Sequence, residues 1–150
     1  MLDVLAEVSL FAALPPTGLT RLAQQGKTRH FPAGSRLMHQ GDVSVSMYII
    51  VEGRVRVERS HPALLGPVLL AELGPGEVVG EIGVLDGEPR TATVTAVKDT
   101  ETLELDAATL ELTILAYPEV GTALLRVLSR RLRSTDELVE RQLHRQEDVE

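Results

Sequence analysis

At 150 residues the chain has the length of one domain, enough to close a single apolar core. Its 43% hydrophobic and 25% charged residues exclude a disordered chain; with 3% aromatics and no Trp, the core must come from Leu, Val, Ile and Ala, with no platform for stacking single-stranded bases. A net charge of -7 disfavours nucleic acid as a direct partner and zero Cys excludes disulfides and thiol catalysis, while an acidic start with no long apolar run argues against an export signal or membrane span, so the expected location is the cytoplasm.

Apolar residues at Leu2, Leu5, Val8, Leu10, Phe11 and Leu14 predict a helix stopped by Pro15-Pro16. A second opens at Pro16 or Thr17, carries Leu19, Leu22 and Ala23 on one face, and stops at Gly26, so residues 1–26 read as N-terminal helices. From Lys27 the texture changes to short segments between turns: Phe31-Pro32-Ala33-Gly34, Gln40-Gly41-Asp42, Glu52-Gly53, Gly66-Pro67, Gly74-Pro75-Gly76 and Asp86-Gly87. Between the turns the period is two. Val55 and Val57 alternate with Arg54, Arg56 and Glu58 across Glu52-Gly53 from the run Tyr48 to Val51, and Ala92, Val94 and Ala96 alternate with Thr91, Thr93 and Thr95. With Val68 to Leu73 and Thr102 to Leu105, residues 27–106 hold seven or eight strands and suit a jelly roll, the double-stranded β-helix. Asp106 is a good N-cap for a helix to Tyr117, and Pro118 starts a longer one reaching Gln142 or beyond, so 107–145 are C-terminal helices. The expected fold is a mainly β roll with helices at both ends, and all 150 residues read as one domain.

The stretch from Val79 to Ala96 reads as a strand end, a helical turn, a loop and a new strand. Gly80 permits close backbone approach, and the turn from Glu81 and Ile82 onward aims free amides at one point, the geometry that binds anions. Arg90, nine residues after Glu81, offers a guanidinium that matches two phosphate oxygens, with the Thr91 hydroxyl beside it. A carboxylate so close to an anion site has to face another part of the ligand, so Glu81 is expected to accept hydrogen bonds from sugar hydroxyls. Phosphate plus ribose implies a nucleotide.

Here the sequence resembles the phosphate-binding cassette of the cyclic nucleotide-binding domain family, a Gly-Glu-x-x-x-Leu followed by Pro-Arg-Thr/Ser-Ala-x-Val-x-Ala, present as Gly80, Glu81 and Leu85 and then Pro89, Arg90, Thr91, Ala92, Val94 and Ala96. The resemblance continues in Phe31-Pro32-Ala33-Gly34, Gln40-Gly41-Asp42 and Tyr48 to Gly53, and departs at Val43 to Ser46, where the family has a small Gly-containing loop. It implies that Glu81 binds the ribose 2'-OH, Arg90 the cyclic phosphate, and that the amides after Gly80 complete a cradle spanning residues 79–92. By the same resemblance Val57, Leu70 and Leu73 line the base pocket. The expected ligand is cAMP ahead of cGMP, which stays open because the Thr91 hydroxyl could also reach a guanine amino group; no cofactor is expected. The stretch from Arg130 to Asp136 resembles the catabolite activator branch, which implies that Thr135 meets the base, that Arg131 lies beside it, and that the helix pairs with its twin. Asp136 stands where that branch has a hydroxyl.

Leu125, Leu128, Leu132, Thr135, Val139 and Gln142 follow one another at steps of three and four, a heptad seam that wants a partner helix and predicts a homodimer. Arg126, Arg130, Arg131 and Arg133 read as a solvated basic face. His30, His39, His61 and His144 show no metal-binding spacing, and neither a nucleophile elbow nor a Walker sequence is present, so neither metal nor catalysis is expected. The expected function is a regulatory module that senses a cyclic nucleotide, rearranges its C-terminal helix and signals to an unidentified effector or output domain. A scaffold of the same fold without ligand is the alternative, and a cupin-like enzyme a remote one.

Overall fold

In the computed structural model, which describes residues 1–149 apart from the side chains of 135, 142 and 146–149, helix α1 (Leu2–Glu7) is short. Val8 turns extended, and a single 3-10 turn, Ser9–Phe11, follows. The one helix expected over residues 2–14 is therefore two pieces. Leu5, Val8, Leu10 and Phe11 are all buried, and on one straight helix at about 100° per residue they would spread over more than half its circumference. Bending at Val8 turns all four inward. Helix α2 (Pro16–Gln25) starts on its proline as expected, but Gly26 ends it in an extended rather than left-handed conformation. A Cβ there would lie 2.6 Å from Leu103 Cδ1, so close packing explains the glycine.

Eight strands follow: β1 (Lys27–Phe31), β2 (Arg36–Met38), β3 (Ser46–Glu52), β4 (Val55–Arg59), β5 (Val68–Leu73), β6 (Val78–Val79), β7 (Thr93–Ala96) and β8 (Thr100–Asp106). They form two antiparallel sheets, ordered β1-β8-β3-β6 and β2-β7-β4-β5, the jelly roll that the turn spacing predicts. β3 and β4 lie in different sheets, so the Glu52-Gly53 turn carries the chain across the roll instead of closing a hairpin. β3 is covered on both faces, which is why it reads as a continuous apolar run: Met47 and Ile49 join the cluster under the helices with Phe11, Leu103 and Leu110, while Tyr48 and Ile50 face the roll interior with Phe31, Met38, Val79 and Val94.

Helix α4 (Ala107–Ala116) begins on Asp106, whose Oδ1 accepts the Thr109 amide at 2.8 Å. That backbone bond, with the Thr109 side chain, holds the Asp106 carboxyl below its usual value against a small opposing effect of burial. A depressed folded pKa means that the stabilisation is complete above the unfolded value, about 3.9, and is lost as pH falls through the folded one. Asp106→Ala should therefore cost about 0.5–1 kcal/mol in urea unfolding at neutral pH, the low end for an exposed cap, and the difference from wild type should vanish on acidification below that range. A difference constant with pH would exclude the carboxylate as the cap.

Helix α5 (Pro118–Val149) packs on the 3-10 turn, α4 and β5. No single helix among the described residues is long and apolar enough to cross a membrane.

Candidate functional site

Strand β6 is the two-residue edge of the first sheet, and the chain leaves it through Gly80 into helix α3 (Glu81–Asp86). Gly80 has φ 82°, and a Cβ on it would meet Arg90 Nη1 at 2.5 Å and Met38 Cε at 2.9 Å. Backbone conformation and space both demand glycine. No side chain caps α3, which leaves its first-turn amides open. Gly80→Ala is expected to lose about 1–3 kcal/mol in urea unfolding from the left-handed conformation alone. A loss under about 0.5 kcal/mol, the range of ordinary surface changes, would show that the backbone here relaxes freely.

Arg90 is fixed from both sides. Its backbone accepts the Gly41 amide at 2.9 Å and donates to the Asp42 carbonyl at 2.8 Å, and Nη1 donates to the Gly80 carbonyl at 3.2 Å. The side chain is 6% exposed, yet it makes no ion pair among the described residues. Burial pulls the guanidinium below its ordinary pKa, opposed by Tyr48, Glu104, Asp42 and Glu81 around it. Behind Arg90 lies a polar network: Ser46 Oγ donates to Glu104 Oε2 at 2.7 Å and Arg29 Nη1 to Glu104 Oε1 at 3.3 Å. Burial pushes the Glu104 carboxyl up, but the hydrogen bonds from Ser46 and Tyr48 and the charge of Arg29 outweigh it, and the net shift is downward. Burial first, then Glu104, raises the Tyr48 hydroxyl.

Glu81, 1% exposed, pairs with Arg131 of α5, whose second nitrogen donates to the Val78 carbonyl. Arg131 thus reaches the acidic group itself, where the resemblance implied a place beside the base. Thr91 is exposed next to Arg90, and Ile82, on the first turn of α3, is 37% exposed. Val57 and Leu73 belong to the inner cluster together with Ala71, the residue opposite Val57. Leu70 is half-buried, falls at the register slip between Val57 and Glu58 and is not part of that cluster. The Thr135 side chain lies outside the described residues. In the loop that departs from the family pattern, Ser44 Oγ is the one buried side-chain polar atom among the described residues without a partner; it packs so close to α3 that a Cβ on Gly83 would lie 2.3 Å from it. A cavity of about 250 Å³ is lined by Ser9, Glu77, Val78, Val127 and Arg131 among others, and neither Glu81 nor Arg90 lines it.

The structure therefore brings Gly80, Glu81, Arg90 and Arg131 together. Sequence reasoning missed Met38, Tyr48, Glu104 and the Arg131–Glu81 pair. Only Glu104 carried a signal, as an acid within the apolar alternation of β8. The described residues contain no group of three His, Cys, Asp or Glu placed to hold a metal ion.

The profile of the family described as Cyclic nucleotide-binding domain matches residues 28–117. The chain is 32% identical over 134 residues to the CRP-like cAMP-activated global transcriptional regulator of Mycobacterium tuberculosis, covering 89% of this chain and 59% of that protein. It is 37% identical over 129 residues to the Cyclic AMP receptor protein of Thermus thermophilus, covering 85% and 58%. The chain thus spans under two thirds of the length of these relatives. The crystal structure of the Thermus thermophilus Catabolite Activator Protein superposes with a TM-score of 0.78 at 35% identity, covering 88% of this chain and 62% of that one.

Proposed function

We infer the role of this chain from one premise, that it belongs to the cyclic nucleotide-binding domain family: residues 1–150 form a single cytoplasmic, non-enzymatic sensor module that binds cAMP in preference to cGMP and signals through α5. The observation that carries this reading is Arg90, a buried cation without an ion pair among the described residues, beside open helix amides, an arrangement that a phosphate would complete. Glu81 receives the ribose 2'-OH, Thr91 adds a hydroxyl at the phosphate, and Val57, Leu70 and Leu73 give the base apolar contact. The preference for cAMP rests on the ligand in the names of the two relatives.

Glu81 also holds Arg131, so a sugar arriving at Glu81 bears directly on α5. Ligand and helix position are thereby linked, and binding shifts the population of α5 positions. Leu125 and Leu132 are 66% and 64% exposed, so of the heptad leucines only Leu128 packs on its own roll. The exposed pair forms a homodimer seam with a second copy, and the effector is reached through that helix pair, by a partner or by an attached domain.

Isothermal titration with cAMP and with cGMP tests the ligand, and sedimentation tests the dimer. Saturable binding with cAMP tighter than cGMP, and a dimer mass, are expected. Folded protein that takes up neither nucleotide would leave the scaffold reading in its place, and a monomer with and without cAMP would remove the dimer.

A further inference from the structure

We propose that the loop between β4 and β5, residues 60–67, is a control element for the phosphate arm of the site, and that the Gln40 side chain is the positioning residue that couples the two. Gln40 is half-buried, and its carboxamide clasps the loop at its first residue: Oε1 accepts the Ser60 amide at 2.7 Å and Nε2 donates to the Ser60 carbonyl at 2.8 Å. Both ends of one planar group are used, so the rotamer freedom lost on making the first bond is not lost again on making the second. The β4–β5 ladder ends at the pair Arg59–Val68. Among the described residues the loop's other hydrogen bonds beyond that ladder are internal, from the Leu64 amide to the His61 carbonyl and from the Ala63 amide to His61 Nδ1. In hydrogen bonding, the clasp is what ties this loop to the body of the roll.

The other end of the coupling is the backbone of Gln40. Its amide donates to Thr93 Oγ1 on β7 at 3.0 Å, and its carbonyl accepts from His39 Nδ1 at 2.8 Å. The next two residues carry Arg90: the Gly41 amide donates to the Arg90 carbonyl, and the Asp42 carbonyl accepts the Arg90 amide. One short path therefore runs from Ser60 through Gln40 to the residue that grips the phosphate. Freed of the clasp, residues 39–42 and the Arg90 backbone on them would sample a wider range, and that spread has to be given up again when an anion is held, which weakens binding. Linkage makes the coupling reciprocal: a nucleotide that fixes Arg90 also steadies the loop, and whatever holds the loop tightens nucleotide binding by the same factor. This inference rests on the reading of Arg90 as the phosphate site.

The test is isothermal titration of the full chain with cAMP in wild type, Gln40→Ala, Ser60→Pro and the two combined, with hydrogen exchange read over residues 60–67. Gln40→Ala changes no charge, so its effect on a phosphate ligand is not a field effect. A loss of about three- to tenfold in cAMP affinity is expected, the worth of about one net hydrogen bond, with a native circular dichroism spectrum and a urea midpoint close to wild type. Ser60→Pro removes the donor from the loop side and leaves residues 39–42 unaltered, so it should weaken binding in the same direction. The combined variant should bind no more weakly than Gln40→Ala alone, because both changes break one clasp. In wild type cAMP should slow exchange over the loop, and in Gln40→Ala it should not. Unchanged affinity in folded Gln40→Ala, additive losses in the combined variant, or a loop that cAMP protects equally in the two proteins would each overturn the coupling while the Arg90 site stood. Wild-type protein that binds no cAMP would overturn both, and if Gln40→Ala does not fold, unchanged affinity in folded Ser60→Pro overturns the coupling by itself.

Discussion

Arg90→Ala is expected to lower cAMP affinity by about a hundredfold or more while leaving the urea midpoint unchanged or slightly raised. Hydrogen bonds to charged groups contribute about 1.5–3 kcal/mol each, and a guanidinium that makes two to a phosphate exceeds the ~2.7 kcal/mol that a hundredfold represents. Stability responds differently because, without ligand, Arg90 is a buried cation whose one side-chain hydrogen bond among the described residues goes to the Gly80 carbonyl. Its removal forfeits that bond, worth about 1 kcal/mol, but also ends the desolvation of an unpaired charge, so the two nearly cancel. The combination is diagnostic. A residue that merely supported the fold would lose stability and affinity together, and near-normal cAMP affinity in folded Arg90→Ala protein would remove the site assignment.

The second large effect is at Arg131. Arg131→Ala leaves the Glu81 carboxylate 1% exposed without its cation. Removing one partner of a buried pair costs about 3–5 kcal/mol, and since the Arg131 side chain is 31% exposed the expectation here is discounted to about 2–3 kcal/mol. Glu81→Gln in the Arg131→Ala background should recover part of that loss, because the stranded charge is then gone. Hydrogen exchange across residues 128–142 should quicken in Arg131→Ala, since the pair and the bond to the Val78 carbonyl tie this helix to the site. A stability change under about 0.5 kcal/mol together with unaltered exchange would show that Arg131 does not hold the helix.

What the sequence made legible follows from the range of each interaction. Gly80, Glu81 and Arg90 were readable because the turn is local: a left-handed glycine, a short helix and a returning strand are written within a few residues of one another. The Asp106 cap is local in the same sense. The Arg131–Glu81 contact joins residues fifty apart; the resemblance singled out Arg131, but nothing in the periodicity of α5 pointed to Glu81 as its partner until the fold brings it to β6. The break at Val8 hid behind a helical period that the tertiary core overrode, and β1 was hard to see because four of its five residues are exposed and polar. The crossing at Glu52-Gly53 was obscured for a different reason: an apolar strand, a glycine turn and an alternating strand have the same pattern whether the two strands pair or part.

The unequal anchoring of the two arms has a kinetic consequence. Arg90 sits on a backbone pinned by two hydrogen bonds to the Gly41-Asp42 segment, whereas Glu81 hangs from a two-residue strand at a sheet edge. In the proposed mode of binding, the nucleotide would therefore be gripped between a fixed jaw and a hinged one. Edge strands with few ladder bonds open at lower cost than clamped interior segments, so a departing nucleotide would let go at the sugar before the phosphate. On that reading the off-rate would be set by how often the hinged jaw opens, and a substitution that lengthens or stiffens β6 would prolong the bound lifetime without touching a single ligand contact.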